Sequence, residues 1–285
     1  MAHRVFVSLI LVLMLVAGCD FFNKGADEYL QQARQLQAEG DLQASIIEFK
    51  NALQEEPEHA QARWELGLIY LQIGDGASAE KEIKRAKSLN SRNPNADSFP
   101  VEVPLAKALM LQGEYRRLVD EVIVEPYLGP GEKYALQAMR AKAFLMLNKP
   151  EKARDIESSL TQLAPEANET LLVQAYIKGI DQDPEAATQL LQRVVERDDS
   201  NSDAWLYLGE MELAQGHFEL AMKAFRKAVE LTPYSTYAYY QLGLAAISNK
   251  DMDQASQSAQ QILKRAPKNP LARQLQGLIH LEKNE

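Results

Sequence analysis

Cys19 is the only thiol of the chain, so no internal disulfide can form. It closes an apolar run, Val5 to Val16, that is broken only by Ser8. The other side chains that could do chemistry are scattered. His59, His217 and His280 lie far apart, without the one-turn spacing of a zinc-binding helix, and His3 precedes the apolar run. Glu55-Glu56 and Asp198-Asp199 fall at the ends of helical stretches. Solvated chain ends explain them better than general acid–base work, which needs two acids converging in an enclosed site that separates their acidities. Gly74-Asp75-Gly76 and Gly129-Pro130-Gly131 read as turns, not phosphate loops. No catalytic residue, metal site or cofactor is expected, and a glycan hydrolase ranks last among the function classes.

The front end has its own logic. Arg4 supplies a positive start, the apolar run is too short to span a bilayer comfortably, and Val16-Ala17-Gly18-Cys19 offers small residues before the thiol. This pattern resembles the lipobox of bacterial lipoproteins. The resemblance implies that residues 1–18 are a signal peptide, that Cys19 is diacylated, and that residues 19–25 form a lipidated tether. Two or more acyl chains anchor stably where one does not, each buried methylene contributing about 0.8 kcal/mol. Asp20 resembles the inner-membrane retention signal of enteric bacteria. The expected location is therefore the bacterial cell envelope, facing the periplasm, with the inner membrane favoured by Asp20 and the outer membrane as the alternative.

Composition sets broad limits. The 285 residues are 46% hydrophobic and 25% charged, which suits one extended array or two compact domains. A net charge of −9 disfavours association with nucleic acid through charge alone, so no nucleic-acid partner is expected.

Positioning falls to a recurring helical pattern. Pro57, Pro165, Pro233 and Pro267 each close an amphipathic stretch, and Pro165 to Pro267 spans three periods of 34 residues. The clearest unit is 202–233. Trp205, Leu208 and Gly209 share one face of a first helix, and Gly216 turns the chain. Phe218, Ala221, Phe225 and Ala228 share one face of a second, and Pro233 stops it. The pattern resembles the tetratricopeptide repeat (TPR), down to W-x2-L-G…G-x-F-x2-A-x3-F-x2-A-x4-P. It recurs in Leu66, Gly67, Tyr70, Gly74, Ala79, Ile83 and Ala86, in Tyr239, Leu242, Gly243, Ala255, Ile262 and Pro267, and in Tyr29, Ala33, Gly40, Phe49, Ala52 and Pro57. In weaker units Asn148-Lys149-Pro150 and Asp181-Gln182-Asp183-Pro184 make the turns, their prolines able to start second helices. Between residues 91 and 104 the phase slips, and Val101-Glu102-Val103, so close to Pro104, predicts a loop with a short extended piece. The expected fold is all-α, a right-handed superhelical solenoid of about seven TPR hairpins over residues 26–282. The repeats lie near 26–59, 60–93, 99–133, 134–167, 168–201, 202–235 and 236–269, with a capping helix at 270–282.

The TPR resemblance implies that first helices line a concave groove. Candidate groove residues are Gln61, Trp64 and Leu68, then Tyr176, then Asp203 and Glu210, then Tyr237, Tyr240 and Leu244. Aromatics suit peptide or sugar anchoring. For Trp64, Tyr176 and Tyr240, contact with a partner and packing between helices stand as equal readings, while Leu206, Leu213 and Ile247 read as packing. Lys81, Lys84, Arg85 and Lys87 read as a solvated face balanced by Glu80 and Glu82, with lipid headgroups or a glycan as the contact they would otherwise make. Lipobox and opening repeats together resemble the front part of the TPR lipoproteins of exosortase (PEP-CTERM) and exopolysaccharide systems. That resemblance implies a lipid-anchored scaffold binding protein partners of the envelope. A pilotin or barrel-assembly lipoprotein escorting an outer-membrane protein is the alternative.

Overall fold

The computed structural model describes residues 24–92 and 99–282. Cys19 and Asp20 lie outside the described residues. Among those described there are fifteen α-helices and no strand. In chain order they are α1 Ala26–Ala38, α2 Leu42–Glu55, α3 Ala60–Gln72, α4 Gly76–Asn90, α5 Glu102–Leu111, α6 Tyr115–Glu121, α7 Pro130–Met146, α8 Pro150–Leu163, α9 Asn168–Ile180, α10 Pro184–Arg197, α11 Ser202–Ala214, α12 Phe218–Leu231, α13 Thr236–Ser248, α14 Met252–Arg265 and α15 Pro270–Glu282.

One backbone feature punctuates the whole array. Every hairpin turn holds a residue in the left-handed region: Gly40, Gly74, Gly113, Asn148, Gln182, Gly216 and Lys250. From residue 113 onward these fall 35, 34, 34 and 34 positions apart; the step from 74 to 113 is 39, which locates the phase slip. In four turns the next residue, Asp41, Asp75, Asp183 or Asp251, caps the second helix by accepting a backbone N–H three residues on. At Asn148, Gln182 and Lys250 a side chain occupies the position that glycine takes without strain.

The expectation of an extended piece at 101–103 is overturned. Val101 is helical in backbone and Pro104 lies inside the first turn of α5. An N–H in the first turn has no helical acceptor, so a proline there removes nothing. Pro130, Pro150 and Pro184 use the same allowance to begin α7, α8 and α10.

The described residues form two compact units: one reaches Ile69 and adds Lys81 to Phe99, and the other takes Tyr70–Glu80 and everything from Pro100 onward. In the first, Leu30, Ala33, Ile46, Phe49 and Ala52 are buried, and the Ser45 hydroxyl donates to the Ala33 carbonyl at 2.7 Å. Across it run two ionic staples, Arg34 with Glu65 (2.5 Å) and Arg63 with the buried Glu82 (2.6 Å). Glu82 also lies 3.5 Å from Lys81. The surface balance expected of Glu80 and Glu82 is therefore not what they provide. Glu82 is buried between helices, and in the second unit Glu80 accepts from Arg117 and from Gln112.

Among the described residues of the second unit, three buried clusters follow one another along the chain. Ala141, Ala153, Leu160, Val173 and Ile177 make one; Leu171, Ala175, Leu191, Val194 and Leu208 the next; Phe225, Leu242, Ala259, Ile262, Leu275 and Ile279 the last. Helix α15 closes that last cluster through Leu275 and Ile279. Leu206, Leu213 and Ile247 pack against it. Small residues set how closely helices approach. A Cβ built on Gly209 would come within 2.5 Å of the Phe225 ring, itself fully buried, and one on Gly76 within 2.6 Å of the Ala108 carbonyl. Replacing Gly209 with alanine is expected to cost about 1–3 kcal/mol, because the trapped ring must shift in a close-packed site. Urea denaturation checks this, and an unchanged midpoint would mean that α11 and α12 are not in this register.

Candidate functional site

First helices of the second unit repeat their surface positions at the same interval. Lys142, Tyr176, Glu210 and Leu244 stand 34 residues apart on α7, α9, α11 and α13. Asp203 and Tyr237 form a second such row, and Tyr207 and Gln241 a third. The rows meet in one cluster. The Lys142 ammonium lies 5.4 Å from the centre of the Tyr176 ring and 4.0 Å from the Asp203 carboxylate. Tyr176 meets Tyr207 edge to face, with centroids 4.8 Å apart. The Tyr237 hydroxyl donates to Glu210 at 2.9 Å, and the Gln241 amide donates to Glu210 at 3.1 Å and to the Tyr237 oxygen at 3.2 Å. Gly179 leaves room for Tyr207, since a Cβ there would meet its hydroxyl at 1.9 Å.

Burial tunes this cluster. Tyr176 is buried, which pushes its hydroxyl up to about 12 despite the lowering effect of Lys142. Burial likewise raises Tyr207 and Tyr237, with Glu210 adding to both. Lys142 is held above its ordinary range, first by Tyr176 and then by Asp203 and Glu210, which together outweigh the loss of hydration. The result is one fixed cation, two carboxylates and neutral phenols at physiological pH.

The candidate residues thus part company. Tyr176, Asp203, Glu210 and Tyr237 come together, joined by Lys142, Tyr207 and Gln241, which sequence reading passed over. Lys142 falls at the register of Tyr176 in a weak repeat, and the same 34-residue step would have found it. Tyr240 and Leu244 are partly buried against the last core cluster. Gln61, Trp64 and Leu68 belong to the first unit. Gln61 donates to Glu65 at 2.6 Å, and Leu68 is partly buried. Of the two readings left open, burial favours packing for Trp64, 8% exposed and stacked on Phe99 with ring centroids 5.3 Å apart and 11° from parallel, and also for Tyr176, 5% exposed within a core cluster.

Comparison with known proteins follows the same lines. Residues 118–275, more than half of the chain, match the family described as the Tetratricopeptide repeat protein 21 C-terminal ARM domain, and residues 36–99 match the Tetratricopeptide repeat family. The chain belongs to the tetratricopeptide repeat family. The chain is 24% identical over 226 residues to the mouse (Mus musculus) Superkiller complex protein 3, covering 71% of this chain and 13% of that protein, so the chain spans only a small part of this relative. Among solved structures, a tetratricopeptide repeat protein from Parabacteroides merdae ATCC 43184 aligns with a TM-score of 0.56 at 13% identity, over 90% of this chain and 98% of its own. A chain of the APC/C hetero-tetramer Cut9-Hcn1 aligns at 0.52 and 14% identity, over 95% of this chain and 52% of its own. These likenesses establish the fold: an all-helical TPR solenoid, a scaffold type that generally serves protein–protein contact.

Two outcomes test the site as described. Truncating Trp64 to alanine should cost about 3–5 kcal/mol of stability, as removal of a large buried ring does; a melting temperature within a degree of the parent would return Trp64 to the partner-binding set. Tyr176 binds its proton more tightly in the folded chain than at its ordinary value of 10.0. Its contribution to stability is therefore complete below pH 10 and is lost as pH rises toward about 12. Urea midpoints at pH 9 and pH 11 should fall less steeply in Tyr176→Phe than in the parent.

Proposed function

We propose that this TPR chain is a lipid-anchored adaptor on the periplasmic side of a bacterial membrane, which holds a segment of an envelope protein against the shared face of α7, α9, α11 and α13. One observation carries the reading. Tyr237 presents an exposed aromatic ring, 47% open, beside a fixed array of hydrogen-bonding and charged groups. Tyrosine of this kind gives large contact area at small entropic cost and is enriched in binding hot spots. The lipobox pattern at Cys19 supports the anchor, and Asp20 supports retention at the inner membrane. Likeness of the opening repeats to exosortase-linked TPR lipoproteins supports a role in envelope export or exopolysaccharide assembly.

The anchor and the face are separable in experiment. Cys19→Ser should abolish incorporation of labelled palmitate and release the chain from the membrane fraction; unchanged membrane recovery would remove the lipid anchor from the reading. A photo-crosslinking amino acid at position 237 should capture one envelope protein that the same group at exposed Lys223, on the second helix α12, does not. Equal capture from both positions would rule out the first-helix face. Recovery with the outer membrane would favour the escort of an outer-membrane protein over an inner-membrane scaffold.

A further inference from the structure

Charge within the first-helix cluster is unbalanced, and the imbalance has an address. Lys142 is the cation of the cluster, and it is committed to the Tyr176 ring and the Asp203 carboxylate. Glu210 accepts only from neutral donors, the Tyr237 hydroxyl and the Gln241 amide. Among the described residues no lysine, arginine or histidine lies within ion-pair distance of it. Burial keeps Tyr207 and Tyr237 neutral beside it, so their rings offer negative faces and their hydroxyls add no charge. Asp203, with 65% of its side chain exposed, adds a second carboxylate that solvent or a ligand can reach.

The chain itself displays how a cation sits in such surroundings. Lys142 lies 5.4 Å from the centre of a tyrosine ring with a carboxylate at 4.0 Å. One repeat further along, tyrosine rings and the Glu210 carboxylate recur with no cation in ion-pair contact among the described residues, Lys142 acting on them only from longer range. We propose that this group takes a lysine or arginine side chain of the partner segment, its charge against Glu210 and its stem along Tyr237. A carboxylate-bearing segment would instead meet two acids against one already occupied ammonium. The proposal rests on the first-helix face being the partner surface and adds the partner's chemistry: an extended, basic segment. Cation–ring and charge-assisted contacts of this type reinforce one another where water is partly excluded.

The test uses the full chain in non-ionic detergent and three fluorescein-labelled peptides, one alternating leucine with arginine and two with glutamine or glutamate in place of arginine. The arginine peptide should bind most tightly and the glutamate peptide least. Glu210→Gln should weaken the arginine peptide by about tenfold or more. Glu219→Gln, which removes an equal charge from exposed α12, should leave it unchanged, separating a site from general attraction to an acidic chain. Lys142→Gln should tighten it, by roughly threefold, because a like charge is removed; a merely structural role for Lys142 would weaken it. Indifference to Glu210→Gln, equal losses from Glu210→Gln and Glu219→Gln, or preference for the glutamate peptide overturns the proposal. If position 237 still crosslinks its envelope protein under any of those outcomes, the partner face stands and the basic segment alone falls.

Discussion

One residue in left-handed backbone conformation closes every hairpin of this chain, and the regularity of all else depends on it. An antiparallel helix pair needs the chain to reverse within two or three residues without leaving helical carbonyls stranded, and a single positive φ does this. Because that residue recurs at an almost constant interval, each first helix leaves its hairpin at the same rotation as the last. Side chains 34 positions apart then fall in rows. Where glycine is absent, at Asn148, Gln182 and Lys250, the hairpin holds a conformation that L-residues seldom adopt, so the packing of α7 to α10 and of α13 with α14 must outweigh the local cost.

The second constraint is contact distance. Gly209 against Phe225, Gly179 against Tyr207 and Gly76 against the Ala108 carbonyl are places where not even a methyl group fits. Two of these three contacts join neighbouring hairpins, so the small residues set the stacking of repeats as well as the pairing within them. The room that Gly179 provides matters most for the candidate site, since it lets Tyr207 lie against α9 and reach the Tyr176 ring.

A solenoid distributes its chemistry along a surface, and here it gathers in one stretch. Lys142, Tyr176, Asp203, Tyr207, Glu210, Tyr237 and Gln241 come from four helices and form two neighbouring groups, Lys142 with Tyr176, Asp203 and Tyr207, and Glu210 with Tyr237 and Gln241. Burial raises the three tyrosines and their neighbours raise Lys142, which keeps the phenols neutral and the lysine charged. The pairs Arg34–Glu65, Arg63–Glu82 and Arg117–Glu80 act differently, each fastening one helix to another.

Sequence by itself determined the all-helical hairpin array, because periodic apolar stripes, turn residues and stop prolines act locally and recur. It misjudged Val101–Val103, where a proline that forbids a helix interior is harmless in a helix's first turn. It left Trp64 open between partner contact and packing, since an aromatic at a first-helix position looks alike in one dimension whether or not Phe99 folds back upon it. Tertiary structure alone decided which carboxylates are spent: Glu80 and Glu82 within the fold, Glu210 accepting, among the described residues, from the neutral Tyr237 and Gln241. It alone brought the overlooked Lys142 to Asp203, sixty-one positions away along the chain. Helix formation is set by neighbours a few residues off, whereas the partner of a charged side chain depends on which faces the stacking of hairpins brings together.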